Sequence, residues 1–142
     1  MPTTTATISI TNDIASVPTS ISASFNLVKA ASSEGMDTMT SKRKIYTSTD
    51  QVDLIPFGDA GSTGTDGHNF VYISNASTVS TDYITVTQGN AGAGSPTIVE
   101  QIGRLYAGDW MFIPWSAVTD AQDIAITPNT ANEMPIEYVL IS

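Results

Sequence analysis

The 142-residue sequence predicts an all-β chain, a single-domain antiparallel β-sandwich, and three observations predict it. Hydrophobic residues make up 41% and charged residues only 13%, too apolar and too weakly charged for a disordered chain. About a quarter of the residues are Ser or Thr, and Val, Ile and Thr dominate the ordered-looking stretches, as half-buried pleated surfaces favour. Short alternations of apolar and polar residues are separated by glycine- and proline-bearing tracts, with no long amphipathic helix among them. A chain of this length buries roughly two-thirds of the surface its unfolded form exposes, enough for one core and not for two.

The elements follow in order. Ile8 and Ile10 alternate with Thr7, Ser9 and Thr11 in a short first strand over residues 6–10. Residues 21–28 put Ile21, Ala23, Phe25 and Leu27 on one parity and Ser22, Ser24 and Asn26 on the other, a second strand. Ser32, Ser33 and Gly35 weaken any helical turn in residues 30–40, which read as a loop. Strands over 42–49 and 52–57 come next, the second ending near Pro56, which cannot donate a ladder hydrogen bond. The glycine-rich tract 58–67 has no apolar period and reads as a surface loop before a strand over 69–74. Residues 70–73 and 83–87 flank a polar connection and are expected to pair as a hairpin. Beyond a flexible tip at 88–96, residues 97–105 and 110–115 flank Tyr106-Ala107-Gly108-Asp109, a tight turn whose glycine suits a positive φ, and are expected to pair as a second hairpin. Strands over 123–127 and 136–141 close the chain. Roughly nine strands so spaced suit a sandwich or barrel.

The formal charge of −9 sets a nucleic-acid partner against the net field of the molecule, so none is expected. Lys42, Arg43 and Lys44 form the one basic cluster, read as a strand-edge feature or a contact with an acidic neighbour. With no cysteine there is no disulfide, thiolate nucleophile or zinc knuckle. The N-terminus shows neither a basic nor an apolar export region, and no stretch approaches the roughly twenty apolar residues of a membrane span, so no membrane partner is expected. Asn75-Ala76-Ser77 fits a glycosylation sequon, which without an export signal reads as a chance match.

Chemistry is sparse. The lone histidine, His68, excludes a multi-histidine metal site, and no Gly-x-Ser-x-Gly elbow accompanies it, so it reads as a loop residue. Asp59 and Asp66 bracket the glycine-rich loop, but the Asp-x-Asp-x-Asp-Gly run of a calcium loop is missing. Nothing in the spacing of Glu100, Asp109, Asp120, Asp123, Glu133 and Glu137 selects a glycosidase pair. No catalytic residue, no bound metal and no cofactor is expected. Trp110, Phe112 and Pro114 share one parity, and Met111, Ile113 and Trp115 the other. Both faces of this strand are therefore apolar, and it is expected to be covered on both sides.

Three stretches carry a resemblance. Gly103-Arg104-Leu105-Tyr106-Ala107-Gly108-Asp109-Trp110-Met111-Phe112-Ile113-Pro114-Trp115 joins a strand, an Ala-Gly-Asp turn and an aromatic strand ending in Pro-Trp. Asp123-Ile124-Ala125-Ile126 and Ile136-Glu137-Tyr138-Val139-Leu140-Ile141 follow it. Asn69-Phe70-Val71-Tyr72-Ile73-Ser74-Asn75 and Asp82-Tyr83-Ile84-Thr85-Val86 precede it. Together, over roughly residues 42–142, they resemble small structural proteins of tailed bacteriophage virions, of the capsid decoration or cement type. The resemblance implies a jelly-roll-like sandwich over residues 13–142 and an extended arm over residues 1–12 that lies on a neighbouring subunit. It implies a non-enzymatic virion protein made in the host cytoplasm, seated on the capsid surface and bound to the major capsid protein as a homo-oligomer, with a trimer favoured. The alternatives are a tail, fibre or head-tail component, and a carbohydrate-binding β-sandwich using Trp110 or Trp115. The expected interface residues are Thr3, Thr5, Ile8, Ile10, Lys42, Arg43, Lys44, Trp110, Phe112 and Trp115.

Overall fold

The computed structural model describes residues 3–12, 19–59, 68–90 and 97–142. The glycine-rich loop expected at 58–67 lies outside these residues from position 60 on, Asp66 included, as does the tip at 91–96. Among the described residues are ten strands and no α-helix. Contacts divide the chain into two compact units, Met1–Asp37 and Thr38–Ser142.

The first unit is a two-stranded antiparallel ribbon of β1 (Thr4–Asn12) and β2 (Thr19–Leu27). Its register pairs Ala6 with Phe25, Ile8 with Ala23 and Ile10 with Ile21, and the pleat sends these pairs to one face. The other face pairs Thr5 with Asn26, Thr7 with Ser24 and Ser9 with Ser22. Side chains cross-link that polar face, Thr5 to Asn26 at 3.0 Å and Thr7 to Ser24 at 3.1 Å. After β2 the chain folds back on itself. The Met36 amide donates to the Leu27 carbonyl, and the Thr4 hydroxyl donates to the Met36 carbonyl at 3.0 Å. Residues 1–12 were expected to be an extended arm lying on a neighbouring subunit; the strand at 4–12 pairs along its length with β2 of the same chain and belongs to a unit that runs to Asp37.

The second unit is a sandwich of two four-stranded antiparallel sheets. Its strands are β3 (Met39–Tyr46), β4 (Val52–Ile55), β5 (Asn69–Asn75), β6 (Tyr83–Asn90), β7 (Thr97–Tyr106), β8 (Trp110–Trp115), β9 (Ile124–Pro128) and β10 (Met134–Ile141). One sheet has the order β3-β10-β5-β8 and the other β4-β9-β6-β7. The pairs β3·β10, β4·β9, β5·β8 and β6·β7 nest inside one another, as in a long double ribbon folded at the β6–β7 end and rolled into two layers. The core fills the space between the layers. Val71, Ile73, Ile136, Tyr138 and Trp115 from one sheet meet Leu54, Ile84, Val86, Ile124 and Ile126 from the other, and alternation along each strand supplies them.

Both expected hairpins are corrected. β5 and β6 lie in different sheets, and so do β7 and β8. The connections 76–82 and 107–109 are crossings from one layer to the other, and they run side by side. The Asn75 amide donates to the Asp109 carbonyl at 3.0 Å, the Gly108 amide to the Asn75 carbonyl at 2.8 Å, and the Ala107 amide to the Asp82 carbonyl at 3.0 Å. Gly108 takes φ +85°, the left-handed value the turn was expected to need. Buried side chains complete the clamp. Asn75 Nδ2 donates to the Leu105 carbonyl at 3.1 Å, Asn75 Oδ1 accepts from the Ser77 amide, and the Ser77 hydroxyl donates to Asp82 Oδ2 at 2.7 Å. Asn75 is thus a buried structural residue and no glycosylation acceptor.

One free side of the layers, between β3 and β4, is bridged by lysine. β3 and β4 are edge strands, and Lys44 Nζ, on the inward parity of β3, donates to the Leu54 carbonyl of β4 at 3.2 Å. Lys42, on the same parity, lies 3.8 Å from the Asp59 carboxylate. Inward charges of this kind blunt an edge against pairing with another chain.

Two predictions follow from this packing. Replacing Asn75 by Ala leaves the Leu105 carbonyl and the Ser77 amide without their partner in a buried place, and stability falls by about 2–4 kcal/mol in urea titration. Tyr46 is half-buried, its hydroxyl has no hydrogen-bond partner among the described residues, and burial pushes its pKa up to about 12, aided by Tyr138 and Asp53. The unfolded phenol ionises near 10, so stability is full below pH 10 and declines as pH rises to about 12. Tyr46→Phe keeps full stability at pH 7 and shows a shallower loss between pH 10 and 12 in the same titration.

Candidate interaction surfaces

The chemistry of a catalytic centre is not assembled among the described residues. No three of His, Asp or Glu gather there in a metal-holding group. His68 packs its ring 4.7 Å from that of Phe70. Asp123 is buried and accepts the Phe57 amide at 2.6 Å, while its pKa is raised by desolvation and then by Asp53 and Asp120, so it serves the fold of the loop before β9. A cleft of 120 Å³ in the first unit, lined by Thr3, Thr4, Asn26, Leu27, Val28, Ser33 and Gly35, brings no ionisable side chain to a ligand.

What the fold presents instead is apolar surface. In the β3-β10-β5-β8 sheet one parity fills the core, and the register places the other parity in cross-strand rows on the outside. The first row is Met39, Ile141, Phe70 and Pro114. The second is Ser41, Val139, Tyr72 and Phe112, and the third is Arg43, Glu137, Ser74 and Trp110. Phe70 and Phe112 stack with centroids 5.7 Å apart, and Tyr72 lies 5.9 Å from Trp110. Met39 is 70% exposed, Trp110 53% and Ile45, further along β3, 59%. The only charges in the three rows are Arg43 and Glu137, which pair at 3.1 Å. The outer face of the second sheet is different in kind, carrying Thr85, Thr127, Tyr83, Tyr106 and Arg104, with Arg104 over the Tyr83 ring.

A second apolar face belongs to the β1–β2 ribbon. Ile10 is 53% exposed, Ile21 57% and Phe25 40%, and neither strand holds an Asp, Glu, Lys or Arg. Two strands alone are marginal in water, and a ribbon with one apolar face requires something to cover it.

The expected interface residues fall into three groups. Thr3, Thr5 and Ile10 are exposed and Ile8 is half-buried, all in the first unit, with Ile8 and Ile10 on its apolar face. Trp110 is exposed and Phe112 half-buried, both on the outer face of the aromatic sheet. Arg43 shares that face, but Lys42 and Lys44 point the other way and are spent within the chain. Trp115 is only 4% exposed, on the core parity, with its indole N–H on the Gln122 carbonyl at 2.9 Å. It is therefore a core residue and offers no platform for a sugar. The strand at residues 110–115 was expected to be covered on both sides, whereas only the parity of Met111, Ile113 and Trp115 packs with the core, and Trp110 is exposed on the other.

The expected interface set left out Met39, Tyr72, Ile21 and Phe25, although Tyr72 counted among the aromatic residues that could line an interface. For Ile21 and Phe25 the signal was present in the alternation that located the strand. For Met39 it was not, because the loop expected through residue 40 hid the start of β3.

The two tryptophans now predict opposite results in urea titration. Trp115→Ala opens the core and removes the indole hydrogen bond, costing about 3–5 kcal/mol. Trp110→Ala, at an exposed position, changes stability by no more than about 0.5–1 kcal/mol.

Searches against family models, curated proteins and solved structures return no match for this chain.

Proposed function

We propose that this chain is a structural protein of a virion, a capsid decoration protein that binds a shell of major capsid protein from outside and stabilises it. The observation that carries the reading is the outer face of the β3-β10-β5-β8 sheet. It is mostly apolar over two rows and at Trp110 in the third, exposed at Met39 and Trp110, and backed by a packed core, while the described residues bring no reactive groups together. A contiguous apolar face larger than a few hundred Å² marks a contact surface on a soluble protein. The nested strand order supports a jelly roll, an eight-stranded double-sheet architecture that recurs in viral shells. A charge of −9 suits a protein that faces away from packaged nucleic acid.

The mechanism is mass action. A chain that binds only the assembled shell lowers the free energy of that state by its binding free energy and so opposes its opening. Purified shells stripped of the chain regain resistance to heat and low salt when it is added back, in a saturable way. Trp110→Ala shifts that titration to higher concentration, by about tenfold or more if Trp110 is an anchor. Absence of binding, or binding without any gain in shell stability, would refute the proposal. Copy number per particle separates the shell from the tail: hundreds of copies fit the former, a few dozen at most the latter.

A further inference from the structure

We infer that the outer face of the β4-β9-β6-β7 sheet holds a binding site for a carboxylated sugar, in which Arg104 takes the carboxylate of a hexuronate and Tyr106 takes its ring. The site lies on the layer opposite the aromatic sheet face, so it does not depend on what that face contacts.

The first support is the state of the arginine. The chain has five basic side chains, and four of them reach an oxygen of the protein. Lys29 pairs with Asp37 and Glu34, Lys42 with Asp59 and Arg43 with Glu137, while Lys44 donates to the Leu54 carbonyl. Arg104 has no such acceptor among the described residues. Its guanidinium lies 4.8 Å from the centroid of the Tyr83 ring. Asp109, whose carboxylate accepts the Tyr106 amide at the same strand end, makes no ion pair with it. An aromatic ring beneath a guanidinium holds its plane without using its N–H donors. A fork ordered in this way loses less freedom when it meets a carboxylate.

The second is the platform beside it. Register sets Tyr106 opposite Tyr83, Arg104 opposite Thr85 and Thr85 opposite Thr127, so these residues share one face of the sheet. Tyr106 is 46% exposed and meets the Tyr83 ring at 51°, with centroids 5.3 Å apart. A tilted contact uses at most one face of the Tyr106 ring, and an open aromatic face suits the C–H side of a pyranose. Thr85 and Thr127 add hydroxyls to the Arg104 row. Ring and hydroxyls together favour a sugar over a lipid or an apolar peptide.

The third is dimension. Arg104 and Tyr106 stand two residues apart on one side of β7, about 7 Å. The carboxylate oxygens of a hexuronate lie about 4 Å from its ring centre, and a charge-assisted hydrogen bond adds about 2.8 Å, which together match that separation.

The fourth is charge. One cation without an acceptor suits one carboxylate. A nucleic-acid backbone would bring several phosphates against a chain of charge −9, with a single guanidinium to receive them. The same net charge weighs little on one carboxylate in contact, because at physiological ionic strength the field of exposed charges fades over about 8 Å.

The test is an amide NMR titration of the isotope-labelled full chain with methyl glucuronide, methyl glucoside, acetate and N-acetylglutamate amide. Methyl glucuronide is expected to shift the amides of Tyr83, Arg104 and Tyr106 saturably, with a Kd on the order of 1 mM, since the ion pair stays open to water. Methyl glucoside lacks the carboxylate and acetate lacks the ring, and each binds at least about fivefold more weakly. Arg104→Lys keeps the charge but loses the fork, and Tyr106→Ser removes the platform. Each weakens glucuronide binding at least about fivefold, whereas Trp110→Ala leaves it unchanged. Circular dichroism and urea midpoints confirm the fold, and Arg104→Gln and Tyr106→Thr replace any variant that does not fold. Acetate that binds as well as glucuronide reduces the site to an anion contact and overturns the inference. N-acetylglutamate amide that binds as well assigns the face to an acidic peptide and also overturns it. So does the absence of saturable shifts at these three residues, or binding that survives Arg104→Lys. None of these outcomes bears on shell binding, which is read on the Trp110 face.

Discussion

Two of the crossings between layers, at 76–82 and 107–109, are clamped to each other, and that clamp is the constraint on which the sandwich depends. Each takes backbone out of one sheet and into the other, and backbone in transit has no ladder partner. Clamped together, they become each other's partners: Asn75, Asp82 and Asp109 supply carbonyls or amides in pairs, and the Asn75 side chain joins a third segment at Leu105. A buried polar group left unmatched costs about 1–3 kcal/mol, so the clamp fixes where the chain turns between the layers. That placement makes β5 and β8 neighbours, and their neighbourhood stacks Phe70 on Phe112 and sets Tyr72 beside Trp110. The aromatic outer face is a consequence of the crossings.

The sequence carried the strands but not their partners. Alternation is a local property, and it placed nearly every strand within a few residues, because burial on one face demands period two. Sheet membership is not local. The turn at Tyr106-Ala107-Gly108-Asp109 has the glycine and the length of a hairpin, and only the distant Asn75 shows that it is half of a crossing. The same limit explains the lysines. Lys42 and Lys44 read as a solvated edge, and β3 is an edge, but the parity that points them inward is fixed by Tyr138 of the last strand, almost a hundred residues on. Trp110 and Trp115 differ in parity by simple counting. Which parity meets the core was settled by the layer opposite and not by the strand itself.

Strand β3 inverts the usual arrangement, with Lys42 and Lys44 toward the core side and Met39 and Ile45 toward solvent. The inversion costs little on the inside, since each lysine reaches a partner at the rim and holds its ammonium over the Tyr138 ring. On the outside it exposes apolar surface in a protein that has threonine and serine in abundance. The opposite sheet, built from the same composition, carries threonines, tyrosines and an arginine in the corresponding place. The contrast between the two outer faces belongs to the individual positions, and composition alone does not account for it.

An apolar sheet face and an apolar ribbon on one chain are two halves of an energetic argument. Either surface left in water costs roughly 25 cal/mol for every Å² that a partner would have covered. The ribbon also carries the entropy of ordering two nine-residue strands with only each other to hold them. Covering the ribbon therefore does more than remove surface from water, because it stabilises the ribbon's own hydrogen bonds in the same step. The sandwich needs no such help, since its core is complete within residues 38–142. The chain thus joins a sandwich whose core is complete to a ribbon that keeps Ile10, Ile21 and Phe25 exposed on one face.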